Sequence, residues 1–189
     1  MDALAALRIW AFETTFPNVR DDEGELRVFR IEPRPAADWI IATMQTGHMS
    51  YLPGLLPDDS RIALMDALEY GDLTLTELEE ANREALELMS GWRWWSAAKL
   101  IATLCNSWHT MGGLLTLSGV NPREESLGAV LAALYARAWV DADKKGRAKL
   151  AQEVATPPPS MLTEEAWDEE AATAAVLAFM QEGATGIPG

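Results

Sequence analysis

The sequence predicts a mainly α fold, a helical bundle with a small N-terminal β-hairpin and a C-terminal helical arm. Three observations predict it. Leu127, Val130, Leu131, Leu134, Tyr135 and Ala138 recur at i, i+3, i+4, i+7, i+8 and i+11, the pattern of an amphipathic helix. Thr74 and Glu77 have capping-box spacing ahead of a second such run. Alternation with period two is confined to the N-terminal part, where Leu26–Ile31 follows the turn residues Asp21-Asp22-Glu23-Gly24.

A hairpin is expected over residues 7–32, stopped by Pro33 and Pro35, and it must lie on something because two strands alone are marginal. Residues 36–46 read as a short helix carrying Trp39, Ile40 and Met44. Leu52-Pro53-Gly54-Leu55-Leu56-Pro57 reads as an apolar turn. Asp58 or Asp59 then caps a helix ending near Gly71, with Ile62, Met65 and Leu68 on one face. The helix opened by Thr74 turns Leu75, Leu78, Asn82, Ala85 and Met89 inward and Glu77, Glu80, Glu84 and Glu87 outward, and Gly91 ends it. A mostly apolar helix follows from about Arg93 to Met111. Asn121 and Pro122 are expected to start the next one as cap and first helical residue. A basic helix with Lys144, Lys145, Arg147 and Lys149 closes the folded part. Three regions result: a hairpin segment over 1–35, a helical core over 36–155, and a proline-rich linker with an acidic arm over 156–189. In the arm Trp167 and Phe179 share the apolar face of a helix between Thr163 and Glu182.

The formal charge is −14, from 15 basic and 29 acidic residues, which argues against ordinary nucleic-acid or anionic-membrane binding. Residues 58–90 carry ten acids and two bases, and residues 156–189 six acids and no base, whereas residues 92–120 hold only Arg93 and Lys99. The apolar centre thus lies between acidic segments. Four of the eight tryptophans, Trp92, Trp94, Trp95 and Trp108, fall in that centre. Each enclosed Trp is worth roughly 4–6 kcal/mol of gross transfer free energy, so a large apolar surface must cover them. Either the protein's own core or a partner groove meets that need.

Catalytic chemistry is sparse. His48, His109 and Cys105 are too far apart in sequence for a zinc site. Asp141-Ala142-Asp143-Lys144-Lys145-Gly146 opens like a calcium loop but places Lys145 where a ligand is required, and reads as a turn with a capping Asp. Ser107 and His109 are two apart, hence on different helical faces, and no phosphate-binding glycine loop occurs. No catalytic residue, metal or cofactor is expected. The single cysteine implies no disulfide, and the N-terminus has no signal-peptide pattern, so a cytoplasmic protein without membrane association is expected.

Several features line up in one order: Pro35-Ala36-Ala37-Asp38-Trp39, Leu52-Pro53-Gly54-Leu55-Leu56, an acidic helix, and Gly91-Trp92-Arg93-Trp94-Trp95-Ser96-Ala97-Ala98-Lys99-Leu100. Trp108 with Gly112-Gly113 follows, then Gly119-Val120-Asn121-Pro122, Ala133-Leu134-Tyr135 and Thr156-Pro157-Pro158-Pro159. Over residues 26–159 this layout resembles the tail assembly chaperones of long-tailed phages infecting actinobacteria. The resemblance implies a helical protein without enzymatic activity in the host cytoplasm. It would coat the apolar tape-measure protein, leave as the tail-tube protein polymerises, and have a frameshifted longer form in many genomes. On that reading Trp92, Trp94, Trp95 and Trp108 line an apolar groove with Leu52, Leu55 and Leu56 at its rim. Trp167 and Phe179 dock on a partner or on a second copy. The alternatives are a structural virion component, such as a connector or tail-completion protein, and an acidic nucleic-acid mimic.

Overall fold

The computed structural model describes residues 11–46 and 51–157. Residues 1–155 form one compact unit, and residues 156–189 form a second that lies outside the described residues except for Thr156 and Pro157. Trp167 and Phe179 therefore also lie outside them. The fold is mainly α. Strands β1 (Phe12–Arg20) and β2 (Leu26–Ile31) make an antiparallel hairpin, and eight helices follow among the described residues. These are α1 (Ala36–Thr46), α2 (Tyr51–Leu55), α3 (Asp58–Tyr70), α4 (Leu75–Ser90), α5 (Trp94–Asn106), α6 (Trp108–Leu117), α7 (Leu127–Asp141) and α8 (Lys144–Ala155).

The hairpin turn is built by Asp21, whose carboxylate accepts the backbone N–H groups of Glu23 and Glu25 at 3.0 Å each. Gly24 supplies the left-handed residue at φ 85°. The register breaks between Thr15 and Arg20, where Pro17 has no N–H to give. That irregularity explains an odd spacing: Phe16 and Val19 are three apart yet both face the core with Phe12, Phe29 and Ile31. The hairpin lies on α4 and shares the helices' core.

The residue before α1 is Pro35, whose side chain has no oxygen with which to cap the helix. The loop before α7 serves instead: the carbonyls of Glu125 and Pro122 accept the N–H groups of Ala36 and Ala37 at 2.9 and 2.8 Å. Asn121 and Pro122 are thus loop residues, and α7 starts at Leu127 behind Ser126, whose hydroxyl accepts from the Ala129 N–H. Residues 52–56 form no turn either. Pro53 falls in the first turn of α2, where no N–H is required, so the segment coils as a short helix. Leu52 is anchored by its N–H, which donates to Asn82 at 2.8 Å, while the Asn82 amide donates to the Leu78 carbonyl. This explains why an amide is buried among leucines.

In α3 the expected face is met only at Leu68, which packs partly buried against the core. Leu64 and Ala67 are buried, while Ile62 and Met65 are about half exposed. In α4, Leu78, Asn82, Ala85 and Met89 are buried, but Leu75 at the first turn is exposed. The capping box forms: Thr74 accepts the Glu77 N–H, and Glu77 accepts both the N–H and the hydroxyl of Thr74. The Thr74 backbone bond, then its hydroxyl bond, hold the Glu77 carboxyl below the usual carboxylate range. A depressed folded value means that this stabilisation is complete above the unfolded value and is lost as pH falls through the folded one. The stability gap between the wild type and Thr74→Ala should therefore narrow as pH is lowered through the carboxylate range. Urea titrations at stepped pH would measure it, and a gap that stays constant would refute the coupling.

Candidate partner-binding surface

Two α4 side chains shape the tight connection into α5. Gly91 takes the left-handed conformation that ends α4, at φ 70°. Ser90 then accepts the Trp92 N–H, and Glu87 accepts the Trp94 N–H at 3.0 Å. Glu87 is therefore an N-terminal cap for α5 and not part of a solvated acidic stripe. This role crosses a turn and carries no local spacing signal.

The helix expected over residues 93–111 divides at Ser107, where Asn106 and Ser107, both weak in helix interiors, sit together. That division decides where the tryptophans go. Trp92, Trp94 and Trp95 lie at the start of α5, and Trp108 starts α6 beyond the end of a 13-residue helix, roughly 20 Å long. The four side chains do not line one groove. Trp92 is half-buried against Tyr135, with ring centres 5.5 Å apart. Trp94 is half-buried beneath the Arg83 guanidinium at 4.8 Å. Trp95 meets Trp94 edge-on at 5.9 Å, with Arg93 over its other side and its indole N–H enclosed without a hydrogen-bond partner. All three are largely spent on packing the α4–α5 turn.

Leu52, Leu55 and Leu56 form no groove rim. They are 0%, 1% and 4% exposed, packed where α1, α2 and α4 meet, because α2 buries the face that a loop would have left open. Trp108 differs from the other tryptophans of the run: it is 39% exposed, and its indole lies over Gly112. A Cβ on Gly112 would come within 3.2 Å of the ring, so the glycine makes the seat on which the ring rests.

The structure instead gathers apolar surface on α6 and α7. Met111, Leu114, Leu115 and Ala133, Leu134 line a narrow groove of about 20 Å³, room for about one water, with Ser118 and Arg137 at its edges. Residues 100–122 contain no Asp, Glu, Lys or Arg. Of the large apolar side chains of α6, only Leu115 is buried. Arg137 is held by Asp141 at 2.8 Å, so the groove presents no unpaired charge from that side. A second aromatic run, Tyr135 and Trp139 at 5.9 Å with Arg147 over Trp139 at 6.0 Å, continues along α7. Sequence reasoning missed Met111, Leu114 and Trp139. The absence of charge around the first two was the available signal.

Little else offers chemistry. A second cavity, of about 10 Å³ between Tyr51, Asn82, Arg83 and Trp94, has room for about one water. Burial pushes the Tyr51 phenol well above its ordinary range, which keeps it neutral, and burial also pushes the Cys105 thiol up. Desolvation lowers Lys99, whose ammonium donates to the Glu153 carbonyl at 2.6 Å, while Ser96 donates to the Val154 carbonyl. These two bonds pin the end of α8 to α5. In the loop between α7 and α8, Asp143 accepts the Gly146 N–H as a helix cap. Among the described residues no group of three or more His, Cys, Asp or Glu could hold a metal, and no helix is long and apolar enough to cross a membrane. No family model, curated protein or solved structure matches the chain.

Proposed function

We propose that the protein is a non-enzymatic tail assembly chaperone of long-tailed phages of actinobacteria. It works in the host cytoplasm by holding an apolar helix of the tape-measure protein until the tail-tube protein takes its place. The observation that carries this reading is α6. Its ten residues contain no charged group, and most of its large apolar side chains remain in contact with solvent. An exposed apolar surface on an otherwise highly charged protein marks an interaction site. An exposed, uncharged apolar helix face suits a second apolar helix laid along it. The acids of α3 and α4 suit the same work, because they keep a complex with an insoluble partner in solution. The motif order from Pro35 to Pro159 supports the assignment to tail assembly.

The test is co-expression with the long helical protein encoded alongside it, followed by pull-down at low and high salt. Apolar contacts survive screening and charge contacts do not. A complex recovered equally at both salt concentrations supports a helix-holding chaperone. A folded protein that captures nothing overturns the reading, and capture only at low salt replaces it with recognition by charge.

A further inference from the structure

The charges of α8 run against its own dipole. Lys144, Lys145 and Arg147 crowd its first turn, its last turn has no base, and Glu153 stands in that last turn. Cations at a helix N-terminus and anions at its C-terminus both oppose the macrodipole. The Lys149–Glu153 pair, at 3.4 Å, has the less favourable order of base before acid, and Lys145 and Lys149 are like charges one turn apart. Packing returns little. Of the twelve residues of α8 only Val154 is buried, with Leu150 partly so, whereas α7 buries four side chains and α4 seven. A helix of that length is marginal alone.

Polar bonds at its two ends hold it instead. At the start, Asp143 caps the helix, and the Arg147 Nε donates to the Trp139 carbonyl at 2.9 Å with its guanidinium over the indole. At the far end, the Lys99 Nζ donates to the Glu153 carbonyl and the Ser96 hydroxyl to the Val154 carbonyl, both at 2.6 Å. Both donors belong to α5. Lys99 thus supplies, from another helix, the cation that the last turn of α8 lacks, and Ser96 satisfies a carbonyl left without an intrahelical partner. We propose that α8 is a strap latched by Lys99 and Ser96, which opens as a unit on residues 142–143 while the rest of the described fold stays intact. Local opening of this kind falls on elements with few buried contacts. Latched, the strap covers Ser96 and one side of the Trp139 ring. Released, it uncovers both and extends the exposed aromatic surface that Tyr135 and Trp139 form along α7.

The opening does not depend on the helix-binding reading and is measured without any partner. Hydrogen exchange of the full chain, read by mass spectrometry of peptic fragments, resolves it. The amides of residues 148–155 should exchange at least about 100-fold faster than the slowest amides of α4 and α7. Sub-denaturing urea should speed α4 and α7 steeply and α8 only slightly, because the response to urea scales with the surface exposed on opening. Lys99→Met keeps the side-chain stem and removes the ammonium. It should speed the exchange of α8 by at least about tenfold with the shallow urea dependence retained, since a bond from a charged donor is lost. Ser96→Ala should act in the same direction and by less. If α8 exchanges with the rate and urea dependence of α4 and α7, it opens only in global unfolding and the proposal is overturned. Fast exchange that neither substitution changes also overturns it, because the hold on α8 then lies elsewhere. So does an acceleration by Lys99→Met that comes with steep urea dependence, which would make Lys99 a support of the whole fold.

Discussion

Gly128→Ala is expected to destabilise the fold by about 2–3 kcal/mol, the cost of overpacking at a contact that cannot relax. Gly128 is the second residue of α7, and a Cβ there would stand 2.5 Å from the Ser90 carbonyl oxygen and 3.3 Å from its carbon. In an open helix the same change would gain up to about 1 kcal/mol, so the sign depends on whether Ser90 can retreat. It is fixed from three directions. Ser90 ends α4, its hydroxyl holds the Trp92 N–H, and the adjacent Gly91 is committed to its left-handed cap with an N–H bonded to Glu87. Moving the carbonyl means moving the whole turn that positions Trp92, Trp94 and Trp95. Urea unfolding should show a lower midpoint at unchanged slope. A variant as stable as the wild type would show that α4 and α7 have slack where they cross. Because α7 is also one wall of the groove, helix binding should weaken together with stability.

What the sequence made legible was local. The Asp21–Gly24 turn, the Thr74–Glu77 box, the burial of Asn82 and the Leu127–Ala138 stripe each depend on residues within a few positions of one another, and the structure contains all of them. The errors share one cause, which is that a second segment decides the outcome. Pro53 and Gly54 look like a turn until Asn82 accepts the Leu52 N–H and Pro53 falls where helices tolerate proline. Ile62 and Met65 have helical spacing, as do Leu64 and Ala67, and only the packing of α2 against α3 selects between the two stripes. Asn121-Pro122 carries every local sign of a helix start, but Pro122 and Glu125 are needed to close the end of α1. The tryptophan run was the strongest signal for a site and the least direct. Eighteen positions are close in sequence, but a helix spreads them over roughly 20 Å and spends three of the four rings on its own support.

Two tryptophans of opposite burial separate folding from binding. Trp39→Ala should cost about 3–5 kcal/mol, the range for emptying a large aromatic site in a core. Its side chain is 0% exposed and packs on Tyr51 at 5.8 Å, and its indole N–H has no hydrogen-bond partner to lose, so the loss is one of packing alone. Trp108→Ala removes as many atoms from a ring that is 39% exposed and rests on Gly112. Its stability cost should stay near 1 kcal/mol, because much of its apolar area is wet in the folded state as well. Its effect on capture of an apolar helix should reach at least about tenfold, since a partly exposed aromatic ring on a helix without charged residues is the kind of anchor on which interfaces depend. The informative quantity is the ratio of binding loss to stability loss in the two variants. Trp39→Ala should lose binding only in proportion to the unfolded fraction, whereas Trp108→Ala should lose it while still folded. If Trp108→Ala binds as well as the wild type, the binding surface is not on α6. The half-buried rings of the α4–α5 turn would then be the next place to look, at the higher energetic cost of uncovering side chains that the fold already uses.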